Sequence, residues 1–152
     1  MDAKLINPFI QAVSEVMQQM GFQNINKSSV AVNESVVKSL GVMTLVGLTQ
    51  DVSGNVVYNM PENTACYIAS KMMCGMPVDD FNEMAQSAVS ELANMLTARA
   101  ATNLVNLGYV TDISTPNMTI GLDLKVKICE SKYLTIKMDI EGNVFEINIF
   151  IS

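Results

Sequence analysis

The feature that most constrains this chain is the alternation filling residues 122–151. Leu122, Leu124, Val126 and Ile128 alternate with Asp123, Lys125 and Lys127. Leu134, Ile136, Met138 and Ile140 alternate with Thr135, Lys137 and Asp139, and Phe145, Ile147, Ile149 and Ile151 with Glu146 and Asn148. A period of two places each apolar set on one face of a strand. Three such strands, the last two joined by the turn Glu141-Gly142-Asn143, predict an antiparallel meander with one dry face. That face needs a cover, and the upstream sequence supplies helices.

Residues 2–20 carry Leu5, Phe9, Val13, Val16, Met17 and Met20 at helical spacing and stop at Gly21. Pro8 falls near the start, where a lost amide donor does least harm. Residues 26–33 and 42–50 predict strands, with Gly47 as a bulge. Turn chemistry at 51–55 and a strand at 56–60 complete a hairpin. Pro61 opens a helix to about Met73, with Asn59 as its cap residue and Gly75 and Pro77 as its stop. A long helix spans 79–107 and ends at Gly108, with Met84, Ala88, Leu92, Met95 and Leu96 as its apolar stripe. A short strand at 110–114 precedes Pro116.

This order repeats. Ala12-Val13-Ser14-Glu15 recurs as Ala88-Val89-Ser90-Glu91, and the two leading helices end alike, in Met20-Gly21-Phe22 and Leu107-Gly108-Tyr109. The predicted class is α+β. A single domain over 1–152 is built from two pseudo-two-fold α-β-β-β halves, about 1–77 and 78–152, with an antiparallel sheet and long helices packed on one face.

Composition narrows the chemistry. The chain has 152 residues, enough for one core, and a net charge of −6, which argues against a nucleic-acid surface. There is no His, so the commonest general base and metal ligand are missing, as is any Ser-His or Cys-His nucleophile pair. Cys66, Cys74 and Cys129 lack C-x-x-C spacing and read as buried reduced thiols. No apolar run reaches bilayer length, Met1-Asp2-Ala3-Lys4 lacks signal-peptide chemistry, and no glycine-rich phosphate loop follows a strand. The expectation is a cytoplasmic protein with no membrane or nucleotide partner.

One helix face stands out. At 100° per residue Ser87, Glu91, Asn94 and Ala98 fall together, well away from the centre of the apolar stripe. Small Ser87 and Ala98 flank a carboxylate and a carboxamide, a low ridge that fits another molecule's cleft. Polar residues on an outer helix face are ordinarily solvated surface. A mid-helix Asn, however, costs several tenths of a kcal/mol relative to Ala.

The pattern Ser87-x3-Glu91-x2-Asn94, with Pro116 about twenty residues on, resembles the signature of the CheC/CheX/FliY chemotaxis phosphatases. The opening Ile6-Asn7-Pro8-Phe9, the length and the doubled order extend the likeness over essentially the whole chain. One intact motif is the CheX-type arrangement; Glu15 and Gln18 keep part of a second. The resemblance implies hydrolysis of the aspartyl-phosphate of a phosphorylated CheY-type response regulator, whose own site brings the magnesium ion and a lysine. It implies that Asn94 orients the attacking water and that Glu91 pairs with that lysine; Ser87 and Ala98 are the candidate partner-binding residues, Ser87 either touching the partner or keeping the ridge low. It also implies no cofactor bound by this chain and a homodimer joined through the β-sheet. A non-catalytic dimeric adaptor, docking a regulator or flagellar switch component on the same ridge, is the alternative.

Overall fold

Residues 3–152 are described by a computed structural model. Its elements run α1 (Ala3–Gln19), β1 (Ile25–Lys38), β2 (Gly41–Gln50), β3 (Gly54–Pro61), α2 (Glu62–Met72), α3 (Glu83–Val105), β4 (Thr111–Ile113), β5 (Asn117–Ile120), β6 (Lys125–Ile140) and β7 (Asn143–Ile151). The strands form one antiparallel sheet in the order β1-β6-β7-β3-β2, with β4 and β5 both pairing along the far side of β2. Exchanging β1 with β4 and β5, β2 with β6, and β3 with β7 gives the same order read backwards.

All three helices pack on one face. There Phe9, Val13 and Met17 of α1, Ile68 of α2, and Val89, Leu92 and Leu96 of α3 meet Val42, Val46, Val56 and Tyr58. Ile136, Met138, Phe145, Ile147 and Ile149 complete that core. The alternation at 134–140 and 145–151 thus names the inner face.

The run 122–128 behaves differently. Leu122 and Leu124 are exposed, and residues 125–140 form a single strand, not two strands of a meander. No Gly, Pro, Asn or Asp lies between Ile128 and Leu134. The strand bulges instead, opposite Ser35, which takes φ 59° and donates its Oγ to the Cys129 carbonyl at 3.0 Å. Beyond that elbow, Val36–Lys38 pair with Lys125–Lys127. Val37 and Ile128 pack with Met43, Val57, Cys129 and Tyr133 in a second cluster, built from strand residues alone. β1 is accordingly longer than the expected 26–33.

Several local expectations are corrected. Asn59 does not cap α2; Pro61 occupies that position, while the buried Asn59 carboxamide accepts from Leu40 N at 2.9 Å and donates to Lys38 O at 2.8 Å. Gly47 makes no bulge, since β2 pairs with β3 in continuous register through it. Its bare Cα admits Ser114, whose Oγ accepts from Gly47 N at 2.8 Å. The three cysteines are free, but Cys74 is exposed and Cys66 half-buried, so burial holds for Cys129 alone.

Candidate active site

α3 begins where Asn82 accepts from Ala85 N at 2.9 Å, satisfying an otherwise orphaned donor. Its buried stripe is Ala85, Val89, Leu92, Ala93, Leu96, Thr97, Ala100 and Leu104. The expected stripe is therefore rotated. Met84 is 62% exposed, and Ala88 and Met95 lie at the margin. Ala85, Ala93 and Ala100, too small to dominate a hydropathy pattern, let the helix sit close to the sheet.

The rotation strengthens the ridge. Ser87, Glu91 and Ala98 are exposed, and Asn94 is half-buried beside them. Ser87, Ser90, Glu91 and Asn94 form one wall of a cleft of about 730 Å³, and Thr115, Pro116 and Met118 form the other. Ala98 lies further along the same helix face, outside the cleft. Pro116 separates β4 from β5 and also lines the cleft. Thr115 and Met118 escaped the sequence reading, although the motif's downstream proline marked their neighbourhood.

Among the described residues, the side chains of Glu91 and Asn94 make no hydrogen bond or ion pair, so their polar groups remain available to a visitor. Glu83 and Glu91 are the charged groups of the cleft lining, giving it a negative potential that favours a cationic or metal-bearing partner. No cluster of three or more His, Cys, Asp or Glu side chains suited to a metal ion occurs among the described residues. No described helix is long and apolar enough to cross a membrane.

The first-half counterpart is arranged otherwise. The Glu15 carboxylate turns into the α1–α3 seam, where Arg99 Nη1 lies 3.4 Å from it and Asn103 Nδ2 donates to it at 3.1 Å. Gln18 is exposed and donates to Ser14 Oγ at 3.4 Å. Glu15 is thus engaged by α3, unlike Glu91, while Gln18 stays at the surface.

An α+β protein with one antiparallel sheet, helices on one face and a carboxylate–carboxamide ridge displayed over a cleft is the class defined by these features. A family model for chemotaxis phosphatase CheX matches residues 42–139. A CheY-P phosphatase CheX from Thermotoga maritima is 34% identical over 129 residues, covering 84% of this chain and 82% of the relative. The chain belongs to the CheX chemotaxis phosphatase family. Among solved structures, CheX in a CheX–CheY–BeF3–Mg2+ complex from Borrelia burgdorferi superposes with a TM-score of 0.82, at 29% identity and 96% coverage of both chains. A CheC-like superfamily protein from a Shewanella species shares the fold with a TM-score of 0.87 at 22% identity, covering 100% of this chain and 99% of its own.

Proposed function

We propose that this chain hydrolyses the aspartyl-phosphate of a CheY-type response regulator, with Asn94 orienting the attacking water and Glu91 pairing with a lysine of the regulator. The observation that carries this reading is the pair itself. Glu91 and Asn94 stand side by side over an open cleft, with neither polar group spoken for among the described residues. A carboxamide presents a donor and an acceptor, enough to fix a water from two sides without abstracting its proton. Phosphoryl transfer is governed largely by alignment and charge stabilisation, so a chain with no His is chemically sufficient. Ordering the nucleophile supplies up to roughly 7–11 kcal/mol in the best intramolecular cases. Magnesium belongs to the regulator's site in this scheme. The relative crystallised with CheY, BeF3 and Mg2+ supports both the partner and that ion.

The same reading makes the protein a cytoplasmic homodimer joined at the sheet. The support is β1, a 14-residue edge strand with Val30 and Val32 exposed on it. The palindromic strand order supports descent of the two halves from one duplicated unit.

The test is the decay of a phosphorylated CheY-type regulator with Mg2+, with wild type, Asn94→Ala and Glu91→Ala in parallel. Asn94→Ala should lose roughly 10²-fold or more in rate and still bind the regulator. Glu91→Ala should weaken binding by about 2–5 kcal/mol, because the visiting lysine is left unpaired. Stable binding by wild type with an unchanged phosphate half-life would establish the adaptor instead.

A further inference from the structure

We propose that Glu15 is a positioning residue: its carboxylate, through Arg99 and Asn103, sets the roll of α3 and so the aim of Glu91 and Asn94. This rests on the phosphatase reading above. Arg99 is the one arginine of the chain, and it is committed to this contact at 3.4 Å. Glu15 and Arg99 side chains are about a third exposed, within the seam between α1 and α3, where water screens them less than on an open surface. Asn103 reinforces the contact, donating to Glu15 Oε1 and to the Pro8 carbonyl, each at 3.1 Å. A second ion pair, Lys127–Glu130, lies within β6 and joins no two elements.

Geometry explains why roll matters. At 100° per residue, Arg99 and Asn103 lie roughly 140–180° around the helix from Asn94. The clamp therefore acts on the flank opposite the working amide. On the other side, Thr97 meets Tyr58 of the sheet at 2.8 Å. Together these bonds hold the helix against turning in either sense. A group about 5–6 Å from the helix axis moves roughly 1 Å for a roll of about 10°. A misplacement of that size costs on the order of 10² in rate for an alignment-driven reaction.

Helix length decides which carboxylate clamps and which is displayed. Gly21 comes six residues after Glu15, whereas Gly108 comes seventeen after Glu91. α3 continues far enough to bring Arg99 and Asn103 back against Glu15. α1 ends at Gln19, before any residue could return the contact to Glu91.

The experiment uses the full chain as wild type, Glu15→Ala, Glu15→Arg, Arg99→Glu and the reversed pair Glu15→Arg/Arg99→Glu. Regulator dephosphorylation is followed at varied regulator concentration, alongside thermal melting and amide hydrogen exchange of α3. Glu15→Ala should lower kcat at least about tenfold with KM within about twofold. Exchange should quicken in α3 beyond Asn94 while the melting temperature stays within a few degrees. Glu15→Arg should be the worst single variant, and the reversed pair should recover most of its loss. Unchanged kcat in Glu15→Ala, a loss matched by a fallen melting temperature, or no recovery in the reversed pair would overturn the proposal. If wild type itself fails to act on the regulator, the phosphatase reading falls, and α3 exchange in Glu15→Ala still decides whether the clamp exists.

Discussion

The Tyr58 hydroxyl on β3 and the Thr97 hydroxyl on α3 lie 2.8 Å apart in the buried seam between sheet and helix, one turn from Asn94. Thr97 gives its proton to the Ala93 carbonyl at 2.8 Å, so the phenol is the donor in the shared bond. Burial pushes that phenol well above its ordinary range, and it stays protonated at any working pH. The two ends of this bond are unequal. Tyr58→Phe leaves Thr97 still bonded to Ala93 and should cost about 0.5–1.5 kcal/mol in urea unfolding. Thr97→Val strands the phenolic hydroxyl in the core and should cost more, about 1–3 kcal/mol. The reverse ranking would contradict this account of the seam.

Thr44 sits opposite Tyr58 on β2, fully buried, and its hydroxyl has no partner. The isosteric Thr44→Val removes an unsatisfied polar group and keeps the β-branched shape that strands favour. Stability should rise by about 1 kcal/mol, seen as a higher urea midpoint at an unchanged slope. A lower midpoint would show that the hydroxyl has a role in the fold.

Glu146, on the outer face of β7, is half-buried, and desolvation pushes its carboxyl above the ordinary range against the opposing pull of Lys137 and the Asn148 and Asn59 side chains. A carboxyl raised in the folded state opposes unfolding fully below its unfolded pKa and loses that contribution as pH rises through the folded value. The ionised group is therefore a cost at neutral pH. Glu146→Gln should raise the melting temperature at pH 7, with the gain shrinking to nothing below about pH 4. A gain of equal size at both pH values would point to packing as its source.

Glu141 works in the opposite direction. It adopts φ 52° in the β6–β7 turn, a conformation unfavourable for its side chain. Its carboxylate accepts from Tyr67 Oη at 2.6 Å and from Gln23 N at 2.7 Å, tying the turn to α2 and to the α1–β1 connection. Those bonds hold its carboxyl below the ordinary range. Their contribution is present above the unfolded pKa and is lost as pH falls through the depressed value. Glu141→Gln should melt lower at pH 7 than wild type, and the two curves should converge in strong acid.

Asn94→Gln tests reach rather than chemistry. The extra methylene moves the amide outward and adds a rotamer to be frozen. Regulator dephosphorylation should fall at least tenfold, and a wild-type rate would mean that the amide's exact placement is unimportant.

Much of this was legible in the residues. The runs at 134–140 and 145–151 face the core as their alternation requires, and Gly21 and Gly108 follow the ends of their helices within a few residues, whereas α3 starts at Glu83 behind Asn82 and not at 79. The ridge of Ser87, Glu91, Asn94 and Ala98 lies on the outer face because a 3.6-residue repeat fixes neighbours on a helix regardless of tertiary context. What failed depended on distant partners. Alternation gives parity but not which side of a sheet is buried, so Leu122–Ile128 looked like a core strand. In fact Leu122 and Leu124 are exposed, and Ile128 packs in the cluster on the other face. Asn59 bonds to residues about twenty positions away, and no local rule reports that. Met84 is long and apolar yet faces solvent, since neighbouring alanines win the closest approach to the sheet.

The two margins of the sheet are not alike. Beside β2 lie strands of three and four residues, split around Pro116, a poor template for any further strand. β1 is long, 14 residues, and its guards are Lys27, Glu34 and Lys38 and two register shifts against β6. Growth by strand addition is thus possible in one direction only. If two copies meet at β1 across a two-fold axis, as proposed above, each covers the other's long margin, and the assembly closes at a pair.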